Sequence, residues 1–91
     1  MQIDINSNVP IYEQIYQQLS NYINNKILLV KDRLPSVIEL SSMLHVNPNA
    51  VIKSYRMLEE KKCIHFIPGK GIFVSEIQQD QMMDSKNIKG L

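Results

Sequence analysis

The chain has 91 residues, 44% of them hydrophobic, which is enough for one modest core and leaves little chain for a separate ligand-binding domain. The longest uninterrupted apolar run, Ile27 to Val30, falls far short of the ~20 residues of a membrane span; with no basic-then-apolar signal pattern at the N-terminus, this reads as a cytoplasmic protein. The formal net charge of +1 is unevenly spread, since residues 26–70 carry eight basic against four acidic side chains, while both flanks are slightly acidic.

Residues 1–9 read as an extended N-terminal arm. Pro10 suits the first turn of a helix, and Ile11, Ile15, Leu19 and Ile23 recur every four residues, which predicts one apolar stripe on a helix over about 10–26. Tyr12, Tyr16 and Tyr22 flank that stripe and read as packing residues rather than a base-stacking platform. A connection from Leu28 to Pro35 leads to Ser36, which with Glu39 three residues on forms a capping box. The second helix is expected over about 36–44, with Val37, Leu40, Met43 and Leu44 facing inward. His45 and Val46 make a tight turn, and Asn47-Pro48 repeats the start signal for a third helix running to about Lys61, with Val51, Tyr55 and Leu58 on its buried side.

Cys63, the single cysteine, has apolar neighbours and reads as a small buried residue. Ile64–Ile67 and Ile72–Val74 are β-rich runs that bracket Pro68-Gly69-Lys70-Gly71, a hairpin signal. Residues 76–91 are polar, with apolar positions on no single stripe: either a partner-dependent helix or a disordered tail. The fold class is therefore mainly α with a β-hairpin, three helices and a wing, spanning residues 10–75.

Two short helices joined by a tight turn, the second opening with small polar residues, form a helix-turn-helix. Its second helix presents N–H groups and partial positive charge at its start, where the first exposed side chains reach base edges. Here those are Asn47, Asn49, Ala50 and Lys53. Asn47 is foremost an N-cap; Asn49 is the best candidate for a bidentate contact to adenine, and Lys53 would meet phosphate or guanine. Lys70 at the hairpin tip could lie against a phosphate or in the minor groove, whereas Gly69 and Gly71 are equally explained by turn geometry. An enzyme is disfavoured: no nucleophile with a base, no carboxylate pair and no metal-ligand spacing is present, and His45 and His65 lack evident partners. No cofactor or metal is expected.

Pro10-Ile11-Tyr12-Glu13-Gln14-Ile15, Asp32-Arg33-Leu34-Pro35-Ser36-Val37, Glu39-Leu40, Val46-Asn47-Pro48-Asn49, Tyr55-Arg56, Leu58-Glu59 and Gly69-Lys70-Gly71 with Phe73-Val74 resemble the N-terminal domain of GntR-family regulators. The likeness is greatest to the short YtrA-type subfamily. The resemblance implies a winged-helix homodimer that represses transcription from a two-fold symmetric operator in double-stranded DNA, with a short helical tail in place of a large effector domain. It adds Arg33, Ser36, Arg56 and Gly71 to the expected DNA-contacting set. The departures matter too. Ile38 stands where the family pattern has an arginine, Lys31 and Lys62 replace glycines, and Ile67-Pro68 replaces a basic pair. A lysine held in the left-handed region would cost about 1 kcal/mol, so Lys62 is expected to end its helix differently. The lost cations should flatten the salt dependence of DNA binding. Ile38 and the short tail also motivate an alternative, a winged-helix interaction module with weakened DNA binding that antagonises a relative by mixed dimerisation.

Overall fold

A computed structural model describes residues 1–76; the tail expected over 76–91 falls outside the described residues apart from Glu76. The chain runs α1 (Ile11–Asn24), β1 (Arg33–Leu34), α2 (Val37–Leu44), α3 (Pro48–Glu60), β2 (Ile64–Ile67) and β3 (Gly71–Val74). The strands form one antiparallel sheet in the order β1-β3-β2, with Phe73 opposite both Arg33 and His65, and Val74 opposite Ile64. This is a winged helix, three helices with a hairpin wing, plus an element that periodicity does not announce. The expected connection from Leu28 to Pro35 contains β1, a strand of two residues, too short for an alternating pattern to show.

Ile15, Leu19 and Ile23 carry the apolar stripe of α1 into the core, where they join Leu34, Leu40, Val51, Tyr55, Leu58, Cys63, Ile64 and Val74; Ile11 packs at the edge. α3 is the hub, packed against α1, α2 and β2. In α2 the inward face corrects the expectation: Met43 is 67% exposed, and the position expected of it belongs to buried Ser41. Val37, Leu40, Ser41 and Leu44 follow the i, i+3, i+4, i+7 rule, and Met43 lies off that face. Ser41 and Ser54 satisfy their buried hydroxyls by donating to the Ile38 and Val51 carbonyls at 3.0 and 2.9 Å.

All three helices end in the same way, and none uses glycine. Lys26, His45 and Lys62 occupy the left-handed region at φ of 61°, 57° and 63°. After α3, the Lys62 N–H donates to the Glu59 carbonyl and Cys63 N–H to the Leu58 carbonyl, both at 2.9 Å. This is the paired bonding of a Schellman ending, and it brings Cys63 onto Leu58 in the core. The ends of α1 and α2 repeat it, with Ile27 N–H to the Tyr22 carbonyl at 2.8 Å and Val46 N–H to the Ser41 carbonyl at 3.0 Å. Lys62 therefore keeps the backbone a glycine would adopt, contrary to expectation. Hydrogen bonds and core contact on either side hold it there. Lys31, at φ 75°, does the same in the turn that the Asp32 N–H closes on the Leu29 carbonyl.

The N-terminal arm is fastened rather than free. Gln14 of α1 accepts from the Asp4 N–H at 2.8 Å and donates to the Asp4 carbonyl at 2.9 Å and the Val9 carbonyl at 2.8 Å. One turn on, Gln18 donates to the Gln2 carbonyl at 2.7 Å, and Ile3 between them packs on the core. Two side-chain amides thus do what a neighbouring strand would do.

Candidate nucleic-acid interface

The helix-turn-helix is built from matched local chemistry. Ser36 caps α2: its hydroxyl accepts from the Glu39 N–H at 3.1 Å, while the Glu39 carboxylate accepts from the Ser36 N–H at 2.9 Å, a complete capping box. The Ser36 N–H bond holds the Glu39 carboxyl below its ordinary range, the Ser36 hydroxyl adds to this, and the nearby positive Arg33 contributes least. Three residues then carry the chain from α2 to α3, and Asn47 caps α3 by accepting from the Asn49 N–H at 2.8 Å, with Pro48 at the first helical position. The Asn47 carbonyl oxygen is engaged in this cap, as its sequence position suggests.

Asn47 and Asn49 are exposed at this open end, Ala50 is half-buried and packs on the core, and Lys53 and Arg56 are exposed further along. Asn49, Lys53 and Arg56 border one shallow recess of about 580 Å³ along the outer face of α3, with Ile52, Met57 and Glu60 completing it. The Lys53 ammonium lies over the Tyr12 ring of α1, 4.0 Å from its centroid. The Tyr55 hydroxyl donates to the Pro35 carbonyl at 2.6 Å, which ties α3 to the entry of α2. Burial pushes the Tyr55 phenol far above its ordinary value, with the Glu39 charge a smaller contributor, so the tie stays protonated.

The wing contributes a second group. Gly69, at φ 79°, occupies the third position of the turn that the Lys70 N–H closes on the Ile67 carbonyl at 2.9 Å, after Pro68, where a type II turn needs glycine. Gly71 is demanded more strictly. Its φ is 129°, and a Cβ there would stand 2.8 Å from the Arg33 Nε. Arg33, exposed on β1, thus lies against the wing at Gly71 and within electrostatic reach of Glu39 at the start of α2. Lys70 is exposed at the tip and borders a groove of about 780 Å³ along the wing, with Lys31, Lys62 and His65. That groove and the α3 recess share no lining residue.

The expected set therefore divides: Asn47, Asn49, Ala50, Lys53 and Arg56 at the start and along α3; Arg33 with Gly71 where β1 lies against the wing; Ser36 at the start of α2; and Lys70 at the tip. The Tyr12 contact and the Arg33–Gly71 approach were not read from the sequence, since both join residues more than thirty positions apart and no local spacing signals them. Ile38 is 73% exposed on α2, an apolar side chain in solvent at the position of the family arginine. Two other reactive side chains have structural settings: one is hydrogen-bonded and one is buried. His65 shares a 2.7 Å hydrogen bond between its Nδ1 and the Ser75 hydroxyl, and burial pushes the Cys63 thiol above its ordinary value. Among the described residues no group of three or more His, Cys, Asp or Glu side chains could hold a metal, and no helix is long and apolar enough to cross a membrane.

Residues 11–74 match the profile of bacterial regulatory proteins of the gntR family. The HTH-type transcriptional repressor YtrA of Bacillus subtilis is 40% identical over 86 residues, covering 94% of this chain and 66% of the relative. A second B. subtilis relative, the HTH-type transcriptional regulator YhcF, is 37% identical over 77% of this chain, which spans only 58% of that protein's length. Among solved structures, YtrA from Sulfolobus acidocaldarius, a GntR-family transcription factor, superposes with a TM-score of 0.78 at 32% identity, covering 98% of this chain and 94% of that one. The AraR DNA-binding domain in complex with operator ORE1 superposes with a TM-score of 0.69 at 25% identity, covering 82% and 94%.

Proposed function

The chain belongs to the GntR family of bacterial regulatory proteins, and from that membership we propose that it represses transcription by binding a two-fold symmetric DNA operator as a homodimer. Residues 10–75 are the DNA-binding domain in this reading, and the protein works in the cytoplasm without catalysis or cofactor. The observation that carries it is the solvent-exposed start of α3: Asn47, Pro48 and Asn49 stand free of the core at the end of a helix whose other face is fully packed. A helix held this way offers its N–H groups to phosphate and its first side chains to a major groove. Asn49 reads a base edge, Lys53 and Arg56 meet the backbone along the recess, Ser36 brings the start of α2 to phosphate, and Arg33, Lys70 and Gly71 set the wing beside the duplex. Asn47 serves the cap first, and Ala50 gives a base close approach.

The test is selection of bound fragments from the source genome, followed by titration of the recovered duplex at several salt concentrations and measurement of the complex's mass. A dimer on a palindromic site whose affinity falls as salt rises is the expected result. Lys53→Ala together with Lys70→Ala should lower the salt slope by about two units, near one per lost phosphate contact, with the melting temperature falling by no more than a few degrees. Salt-independent binding, or none, would favour an interaction module instead.

A further inference from the structure

We propose that Tyr12 is a positioning residue for DNA binding, its ring holding the Lys53 ammonium at the point on α3 where a phosphate is met. The inference rests on the reading of α3 as the DNA-facing helix. Lys53 stands one turn after Asn49 on the exposed face of α3, and its Nζ sits 4.0 Å from the centroid of the Tyr12 ring, at the opening turn of α1. Tyr12 is half-buried, and its neighbour positions Ile11 and Ile15 are seated in the packing of α1 on the core, so the ring has a fixed base.

An aromatic face is a particular kind of partner for a lysine. It attracts the cation through its quadrupole without neutralising it, whereas a carboxylate would cancel the charge and compete with phosphate for the ammonium. A lysine has four rotatable bonds, and ordering them on binding costs entropy that subtracts from affinity. A ring that already gathers the ammonium removes part of that loss while leaving the charge and the outward N–H donors available to a second partner. Lys53 is thus held in the recess it shares with Asn49 and Arg56, with no bond that a phosphate would have to displace from the ring face.

The experiment is a double-mutant cycle on the whole chain, read as the dissociation constant for the labelled duplex recovered by the selection above. Tyr12→Leu is expected to weaken binding about two- to five-fold, a part of the cost of ordering a long side chain at an interface. Tyr12→Phe, which keeps the ring, should bind like the wild type. In a Lys53→Ala background, Tyr12→Leu should cost nothing further. A purely structural Tyr12 would instead give the same loss in both backgrounds, and that result overturns the inference; so does a Tyr12→Phe variant as weak as Tyr12→Leu, which would assign the effect to the hydroxyl. If Lys53→Ala alone leaves affinity and salt slope unchanged, Lys53 is not at the duplex and the placement of α3 fails with it. If Lys53→Ala weakens binding but Tyr12→Leu does not, only the positioning role is lost.

Discussion

From Pro35 to Val51 nearly every junction of the chain is closed by a side chain suited to it: Ser36 and Glu39 start α2, Asn47 and Pro48 start α3, and Tyr55 ties the two together. Around the wing the junctions are closed by backbone against backbone. The Lys31 N–H donates to the Val74 carbonyl, the Val74 N–H to the Asp32 carbonyl and the Ser75 N–H to the Cys63 carbonyl, each at 2.9 Å, with lysines at 31 and 62 in backbone conformations that glycine would take without strain. In the first region residue preference and tertiary structure agree. In the second, backbone bonding overrules the preference, so the two segments that lead into the sheet, at Lys31 and Lys62, carry strain that the starts of α2 and α3 lack. His45 is the exception within the first region, and histidine is among the residues that tolerate left-handed backbone better.

One substitution in each region measures how independent the two are. Gly71→Ala should be the more damaging, at about 2 kcal/mol, because φ of 129° strains any side chain and the new Cβ would also displace the Arg33 Nε from 2.8 Å. Denaturant unfolding checks the magnitude. Hydrogen exchange should show the loss concentrated in wing amides, and equal loss in α2 would break the contrast. Tyr55→Phe should cost about 1 kcal/mol by leaving the Pro35 carbonyl without its donor. It carries a pH signature as well. The Tyr55 pKa is raised on folding, so its stabilising contribution is complete below the ordinary tyrosine value near 10 and is lost as pH climbs above it, while the unfolded chain ionises first. The wild type should therefore lose stability on the alkaline side by an amount that Tyr55→Phe lacks; parallel pH profiles would show the phenol is not what holds α2 to α3.

The same contrast explains what could be read from the chain alone. Ser36, Glu39, Asn47 and Pro48 act within four positions of themselves, so the starts of α2 and α3 were legible, as were the stripe of α1 and the strand at Ile64–Ile67. What escaped was set by distant partners. β1 exists because Arg33 and Leu34 find Phe73 and Ile72 across the sheet, and the arm is pinned by Gln14 and Gln18 rather than extended. Hydrophobicity alone places Met43 inside, whereas the helical period gives that place to Ser41. In the candidate site, the polar start of α3 and the wing lysine were legible by type and spacing. The grouping of Arg33 with Gly71 and of Lys53 with Tyr12 needed the tertiary fold.

Restoring glycine at the left-handed positions gives the smallest effects and the sharpest comparison, because each gain measures local strain alone. Lys31→Gly should stabilise by about 0.5 kcal/mol, raising the melting temperature by roughly 2–4 °C for a domain of this size, since the left-handed penalty disappears and only glycine's extra freedom in the unfolded chain opposes it. Lys62→Gly should gain about half as much. Its side chain places a positive charge beside the C-terminal end of α3, a favourable contact with the helix dipole that the glycine gives up. High salt screens that contact, so the two lysine variants should converge as ionic strength rises. His45→Gly should gain least, close to nothing, because histidine starts from a smaller left-handed penalty that glycine's freedom in the unfolded chain offsets. If His45→Gly stabilised as much as Lys31→Gly, strain would be spread evenly between the helix-turn-helix and the segments that lead into the sheet, and the distinction between a region shaped by its own residues and one imposed by its partners would not stand.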